Sequence, residues 1–206
     1  VKAIAIGSDS QAQANNATAI GNNATAKSEN AIAIGRDTAV TASAAAAIAM
    51  GYNTLAESTD AIVIGSGSSV STDSANATVI GKNSSVQTNS TNATVLGSNS
   101  VAEANSTNAT VVGQFSAAGK NSINATVVGS RSYVRPNTNN GTALGYYSGV
   151  DNSTVNGTSV GAHTWVGENA ENGTALGVRN LVGNSTRNSI AIGVENNIAD
   201  GKQNNT

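Results

Sequence analysis

Seven aromatic and basic side chains recur at matching places of a repeat in the second half of the chain. Five of them follow one another at a constant interval, at every sixteenth position, and each of the other two stands two positions after a member of that set. Stacked aromatic and cationic groups suit the faces of sugars, carboxylates or collagen-like strands. The alternative explanation is ordinary surface variation, or aromatic side chains packing beneath a neighbouring chain. The candidate ligand-binding residues are Phe115, Arg131, Tyr133, Tyr147, His163, Trp165 and Arg179.

The inventory of reactive side chains argues against catalysis. His163 is the only histidine, it has no repeated Asp, Ser or Cys partner, and the chain has no cysteine. We therefore expect no catalytic residue, no metal site and no cofactor. The chain has a net charge of −2 and only 11% charged residues, so it lacks the clustered basic residues of a nucleic-acid-binding protein. No stretch approaches the ~20 continuous apolar residues of a membrane helix.

Thirteen glycines, each closing a short apolar run, define the repeat in which these side chains stand. The spacings between successive glycines are 14, 14, 16 and 14, followed by 16 eight times. This period has room for two brief strands and two turns per coil, which is typical of a β-solenoid. Glycine is expected at the corner between the strands, where a positive φ costs nothing without a Cβ. The corner residues are Gly7, Gly21, Gly35, Gly51, Gly65, Gly81, Gly97, Gly113, Gly129, Gly145, Gly161, Gly177 and Gly193.

The strand before each glycine is apolar on both faces. Counted from the glycine, position −1 is aliphatic or Met, position −3 is Ile or Thr, and positions −2 and −4 are small or apolar. Because successive side chains of a strand point to opposite faces, one face must line the coil and the other must meet a second surface. We expect that second surface to be another subunit, and the pattern leaves open which face meets it. The −1 residues, predicted to form a core or subunit seam, are Ile6, Ile20, Ile34, Met50, Ile64, Ile80, Leu96, Val112, Val128, Leu144, Val160, Leu176 and Ile192.

A second, weaker strand is expected after each glycine. Position +3 is usually Ser or Thr and position +5 is Ala, Val or Ile, so this strand is predicted to be buried on one side only. The connection to the next coil is polar and absorbs the difference in length between the shorter and the longer coils. Four alanines at 44–47 would favour a helix on their own, but residues 47–51 align with the other strands and predict a strand.

A column of Asn at position −5 with Thr at position −3 creates glycosylation sequons in eight coils. Dense N-glycosylation is one interpretation. The other is a ladder of stacked, hydrogen-bonded Asn side chains along parallel coils. We favour the ladder, because the repeat itself generates the sequons and the Thr lies on a strand expected to be buried. Glycosylation of individual Asn residues is left open.

The repeated segments resemble the head repeat of YadA-like trimeric autotransporter adhesins. The resemblance is carried by NAIAIG at residues 30–35, NATVVGQFS at 108–116 and NSIAIG at 188–193, and by the same pattern over residues 3–199. It implies an all-β fold, a left-handed parallel β-roll (β-solenoid) of about thirteen 14- to 16-residue coils, assembled as a side-by-side homotrimer. Residues 1–198 would form this head, and residues 199–206 the start of a neck or stalk connector.

The resemblance also implies a function. We expect a non-enzymatic adhesin head that attaches to host extracellular matrix, to a cell-surface protein or glycan, or to other bacteria. It implies a bacterial cell-surface location, with contact to the outer membrane only through a C-terminal anchor outside these residues. The alternative is a rigid structural spacer of a surface or phage fibre with no ligand of its own.

Overall fold

The computed structural model describes residues 2–206, which form about twelve turns of an all-β parallel solenoid and contain no helix. The chain divides into two compact units, Val1–Asn99 and Ser100–Thr206, and each unit contains two parallel sheets. The short glycine period thus predicted the fold class correctly. The four alanines at 44–47 lie in turns just before a strand, which confirms the absence of a helix there.

The N-terminal unit contains seven strands of the first sheet and six of the second, and the strands of neighbouring coils pair in parallel. The first sheet contains β1 (Ile4–Ile6), β3 (Thr18–Ile20), β5 (Ile32–Ile34), β7 (Ile48–Tyr52), β9 (Ile62–Ser66), β11 (Thr78–Ile80) and β13 (Thr94–Leu96). The second sheet contains β2 (Gln11–Ala12), β4 (Thr25–Ala26), β6 (Ala39–Val40), β8 (Leu55–Ala56), β10 (Ser69–Val70) and β12 (Ser85–Val86).

The C-terminal unit repeats this arrangement with the longer coil throughout. Its first sheet contains β15 (Thr110–Val112), β17 (Thr126–Val128), β19 (Thr142–Tyr146), β21 (Thr158–Ala162), β23 (Thr174–Val178) and β25 (Ile190–Val194). Its second sheet contains β14 (Val101–Ala102), β16 (Ala117–Ala118), β18 (Tyr133–Val134), β20 (Gly149–Val150), β22 (Trp165–Val166), β24 (Leu181–Val182) and β26 (Asn197–Ile198).

The interior of each coil is filled by small side chains from both sheets. Except in the terminal coils, positions −4, −2 and +5 are buried, as Ala109, Val111 and Ala118 show within one coil. The largest fully buried side chains are all valines. Each buried Val contributes about 1.5–3 kcal/mol, so many thin layers together replace the thick core of a globular domain.

Two columns of buried hydroxyls cross-link successive coils. At position +3, the hydroxyl of Ser116 donates to the carbonyl of Gly129 over 2.7 Å, and Ser132 donates to Gly145 over 2.7 Å. At position −7, Ser122 donates to the carbonyl of Arg135 over 2.9 Å. The second column lies in the connection that the sequence suggested was merely polar. Because these hydroxyls occupy the interior, they satisfy carbonyls that would otherwise be buried without a partner.

The corner glycines have two separate reasons to be glycine. Gly113 has φ +138, a conformation that L side chains rarely adopt. A Cβ at Gly113 would also collide with the carbonyl oxygen of Gly129 in the next coil. The glycine column is therefore imposed by the stacking of the coils as well as by the turn.

Residues 199–206 continue the pairing of the connecting segments. Gln203 forms a parallel bridge with Arg187, and the side-chain amide of Asn188 donates to Asn204 over 3.2 Å. Their assignment to a neck or stalk connector, and that of residues 1–198 to a single head, stay predictions.

Candidate functional site

The +2 column presents unusual residues in a strained backbone conformation. Phe115, Arg131, Tyr147, His163 and Arg179 have φ of 54°, 55°, 54°, 55° and 53°. Asn and Asp tolerate this left-handed region, and they occupy the same column in the N-terminal unit. A bulky residue there costs roughly 1–2 kcal/mol. The fold therefore does not favour these side chains at this corner.

Three of the seven candidate residues form one aromatic cluster. The ring centroids of Tyr147 and His163 are 5.3 Å apart, and those of Tyr147 and Trp165 are 6.2 Å apart. The structure adds Tyr146, whose ring lies 5.4 Å from His163. Tyr146 stands at position +1, outside the columns that the sequence singled out, although a tyrosine doublet was a visible signal. The rings of adjacent coils thus stack into a continuous surface.

Trp165 is held more firmly than a freely exposed indole. Its ring lies against Gly149, so that a Cβ at that glycine would collide with it. The guanidinium of Arg135 lies over the ring at 5.3 Å from the centroid, and Arg135 also pairs with Asp151 over 3.5 Å. Sequence reasoning missed Arg135, because position +6 was assigned to the variable connection. Trp165 therefore has a packing role, against Gly149 and Arg135, besides any contact with a ligand.

The remaining candidates are spread along the same unit. Phe115 is 43% exposed and Arg131 is exposed at the next coil of the +2 column, whereas Tyr133 is half-buried on β18. Arg179 forms an exposed ion pair with Glu195 over 3.0 Å. An exposed pair of this kind contributes little to stability. The structure thus brings Tyr147, His163 and Trp165 together and places the other four on flanking coils.

The −1 column lies on the outer face of the first sheet, away from the side chains that fill the coil. Met50 and Ile64 are 36% and 37% exposed in the N-terminal unit, and Val128 and Leu176 are 39% and 40% exposed in the C-terminal unit. The Ile or Thr residues at −3 share this face and are mostly half-buried. A continuous apolar strip of this kind marks an interaction surface. The structure settles which face is outward, which alternation alone left open.

Asn side chains form the predicted ladder on a different edge of the coils. In the C-terminal unit, Asn124 donates to Asn140 over 3.0 Å and Asn140 donates to Asn156 over 2.9 Å. The Thr residues at −3 are only half-buried in the single chain, so the expectation of a fully buried Thr is not met within one chain. Each Asn of this column has a left-handed backbone and a stacked partner, which explains the column without a glycan.

Each unit carries a concavity on its surface. A polar notch of about 440 Å³ in the N-terminal unit is lined by residues that include Glu57, Thr72 and Asp73. It coincides with a shorter coil between two longer coils. A smaller slot of about 170 Å³ in the C-terminal unit is lined by residues that include Tyr133 and Arg135. Over residues 2–206, no three acidic or histidine side chains converge to hold a metal ion.

Comparison with known families agrees with this architecture. Residues 1–24, 13–38 and 42–68 match the family model of the YadA head domain repeat (two copies). Over residues 1–38 and 42–68 the chain is therefore similar to the YadA head domain repeat. No curated protein matches the chain. Within the part of the chain that the structure describes, no helix is long and apolar enough to cross a membrane.

Proposed function

We propose that this chain is the head of a trimeric surface adhesin, which attaches bacteria to host extracellular matrix, to a cell-surface protein or glycan, or to other bacteria. It acts without catalysis. Its place is the cell surface, where regions beyond these residues would anchor it in the outer membrane. The β-roll is left-handed, and three identical chains stand side by side.

The observation that carries this proposal is the outward apolar strip of the first sheet. In one chain, the −1 side chains on this outer face are exposed, as at Ile80 (43%) and Val128, or half-buried, as at Val112. Monomeric proteins rarely expose so long an apolar strip. Identical copies would cover it with the same residues from each chain, because a closed symmetric assembly uses one surface repeatedly. The family match supports this assembly, since YadA-like heads are trimeric.

The ligand surface of the proposed adhesin is the strained +2 column with its neighbours on +4. Residues held in an unfavourable backbone region without a packing reason point to a functional use. Phe115 and Tyr147 are 43% and 42% exposed, so both can contact a ligand directly. These residues lie beyond residue 68, outside the family match. The ligand is therefore a property of this chain and does not follow from the family.

The test is attachment by the double variant Phe115→Asn and Tyr147→Asn. Asn occupies the same column at Asn83 and Asn99 with φ of 52° and 54°, so the fold should accept it. The control is Ile123→Asn, which removes another exposed apolar side chain of the same unit. Beads coated with the protein are presented to matrix-protein and glycan arrays and to bacterial cells.

We expect the double variant to lose at least tenfold in attachment and the control to keep it. If the double variant attaches like the unaltered protein, the ligand surface lies elsewhere. If the unaltered protein attaches to none of these surfaces, the chain is a spacer and the adhesive function is wrong.

A further inference from the structure

The slot in the C-terminal unit has a floor of small residues between larger neighbours. Ala117 and Gly119, from one coil, form the floor on the outer side of the second sheet. Glu103 stands on the coil before, and Tyr133 and Arg135 stand on the coil after. Gly119 cannot be larger, because a Cβ there would lie 2.6 Å from the backbone nitrogen of Pro136. The depression is therefore built into the backbone.

Its two charged walls are held in place by their own contacts. The Glu103 carboxylate accepts a hydrogen bond from the backbone N–H of Lys120 over 2.9 Å. Arg135 contacts the Asp151 carboxylate over 3.5 Å and lies over the ring of Trp165. Side chains that are already ordered lose less conformational entropy when they bind a ligand. The slot thus presents an acceptor and a cation, each with a contact of its own, on opposite sides of a small floor.

The size of the slot limits the ligand. It is an open depression of about 170 Å³, with room for one six-membered sugar ring. The Tyr133 ring offers an apolar face for the C–H groups of such a ring. Arg135 favours a planar carboxylate, which a guanidinium can bind through two parallel N–H groups. The Glu103 carboxylate accepts hydrogen bonds from hydroxyls and disfavours a second anionic group.

We infer that this slot binds a single sugar ring that carries one carboxylate, such as a uronic or sialic acid. The ring lies on Ala117 and Gly119 beside Tyr133, its carboxylate faces Arg135 and its hydroxyls face Glu103. The inference rests on the proposed adhesive function, since surface glycans and matrix polysaccharides supply such sugars. It extends the ligand surface to residues that the sequence columns did not include.

The test is a calorimetric titration of the full chain with methyl glucuronide, methyl sialoside and methyl glucoside. Methyl glucoside has the same ring as the glucuronide without the carboxylate. We expect at least one acidic sugar to bind and methyl glucoside to bind at least tenfold more weakly. Arg135→Gln should reduce binding of that acidic sugar at least tenfold, whereas Arg187→Gln, at another exposed arginine of the same unit, should not change it.

A second variant blocks the slot without removing a charge. Leu55 and Leu181 occupy the +4 column naturally, so the fold should accept Ala117→Leu, which fills the floor. The matched control is Ala39→Leu on β6 of the N-terminal unit. We expect Ala117→Leu to abolish acidic-sugar binding and Ala39→Leu to leave it unchanged.

Failure of both acidic sugars to bind, equal binding of methyl glucoside, or full binding by Ala117→Leu would each overturn the inference. These outcomes are separate from those of the attachment assay. The unaltered protein can attach to a protein surface while every sugar titration is flat, in which case the adhesive function stands and the sugar site does not.

Discussion

At the scale of the residue, the backbone determines where an unusual side chain can stand but does not determine its identity. Asn99 and Phe115 hold the same +2 place with the same φ of 54°. Asn suits this conformation because its short polar side chain tolerates the left-handed region. The replacement of Asn by larger side chains was visible in the sequence. The sequence did not show their ring contacts or the part played by Arg135, because both depend on which side chains of different coils meet.

A first prediction concerns the corner glycines. Gly113→Ala should lower the melting temperature sharply or prevent folding, because the new Cβ meets the carbonyl of Gly129 and the residue has φ +138. The matched change is Gly201→Ala, where φ is +69 and a Cβ meets nothing within 4 Å. This second change should cost only about 1–2 kcal/mol. Thermal unfolding followed by circular dichroism measures both, and equal effects would show that coil stacking does not impose the glycine.

A second prediction concerns the buried hydroxyls. Ser116→Ala removes the donor to the carbonyl of Gly129 (2.7 Å) and the acceptor for the backbone N–H of Ser132 (3.3 Å). Two buried backbone groups lose a partner, so the free energy of unfolding should fall by about 1–3 kcal/mol. Ser130→Ala, at a half-buried position outside this column, should change it by less than about 0.5 kcal/mol. Denaturant unfolding compares the two variants. An unchanged free energy of unfolding in Ser116→Ala would show that the +3 hydroxyl column does not stabilise the coils.

At the scale of the element, the sequence predicted both strands of a coil but could not orient the first. Alternation separates two faces, and here both faces are apolar, so alternation does not identify the interior. Side-chain type does not identify it either: Val111 is fully buried inside the coil, whereas Val112, the same residue type one position later, is half-buried on the outer face. The buried hydroxyl column at position −7 could not be predicted either, because residue type does not show which way its side chains point. Ser and Thr are common in turns, and nothing in their type shows that they point into the coil.

A third prediction tests the outward face of the first sheet. Val112→Asp places a charge on the half-buried outer face, and should abolish the homotrimer because an unpaired charge would be buried between chains. Val111→Asp, one residue earlier, points into the fully buried interior and should unfold the chain itself. Light scattering gives the assembly state and circular dichroism gives the fold. An unaltered protein that is a stable monomer at micromolar concentration would refute the trimer.

At the scale of the whole molecule, the repeat made the fold predictable and left the ligand unpredictable. Columns recur in both units, so thirteen weak signals reinforce one another for the strands and corners. The ligand surface has no such repetition. Its residues are departures from their columns, and they lie beyond the residues that match the YadA head domain repeat. One chain also cannot display the surface that covers its own apolar strip, so the trimer stays a proposal that rests on the exposed side chains of that strip.

The last prediction joins assembly to binding. Three chains carry three sugar slots, so a surface dense in carboxylate-bearing sugars should hold the trimer far more strongly than one slot holds one sugar. On a chip densely coated with hyaluronate, a polymer containing glucuronic acid, the unaltered trimer should bind at least ~100-fold more tightly than methyl glucuronide binds in solution. Folded Val112→Asp monomer should titrate methyl glucuronide normally, because the slot lies on the second sheet and Val112 on the first.

The same monomer should dissociate from the dense chip at least ~100-fold faster than the unaltered trimer, because only one slot of a monomer can bind. A sparsely coated chip is the control: there the trimer also engages through one slot, and the two proteins should dissociate at similar rates. A monomer that persists on the dense chip as long as the trimer would show that retention does not come from multivalency. A monomer that fails the soluble titration would instead show that the slot depends on the trimer for its shape, so the two roles of the assembly are separated by one pair of measurements.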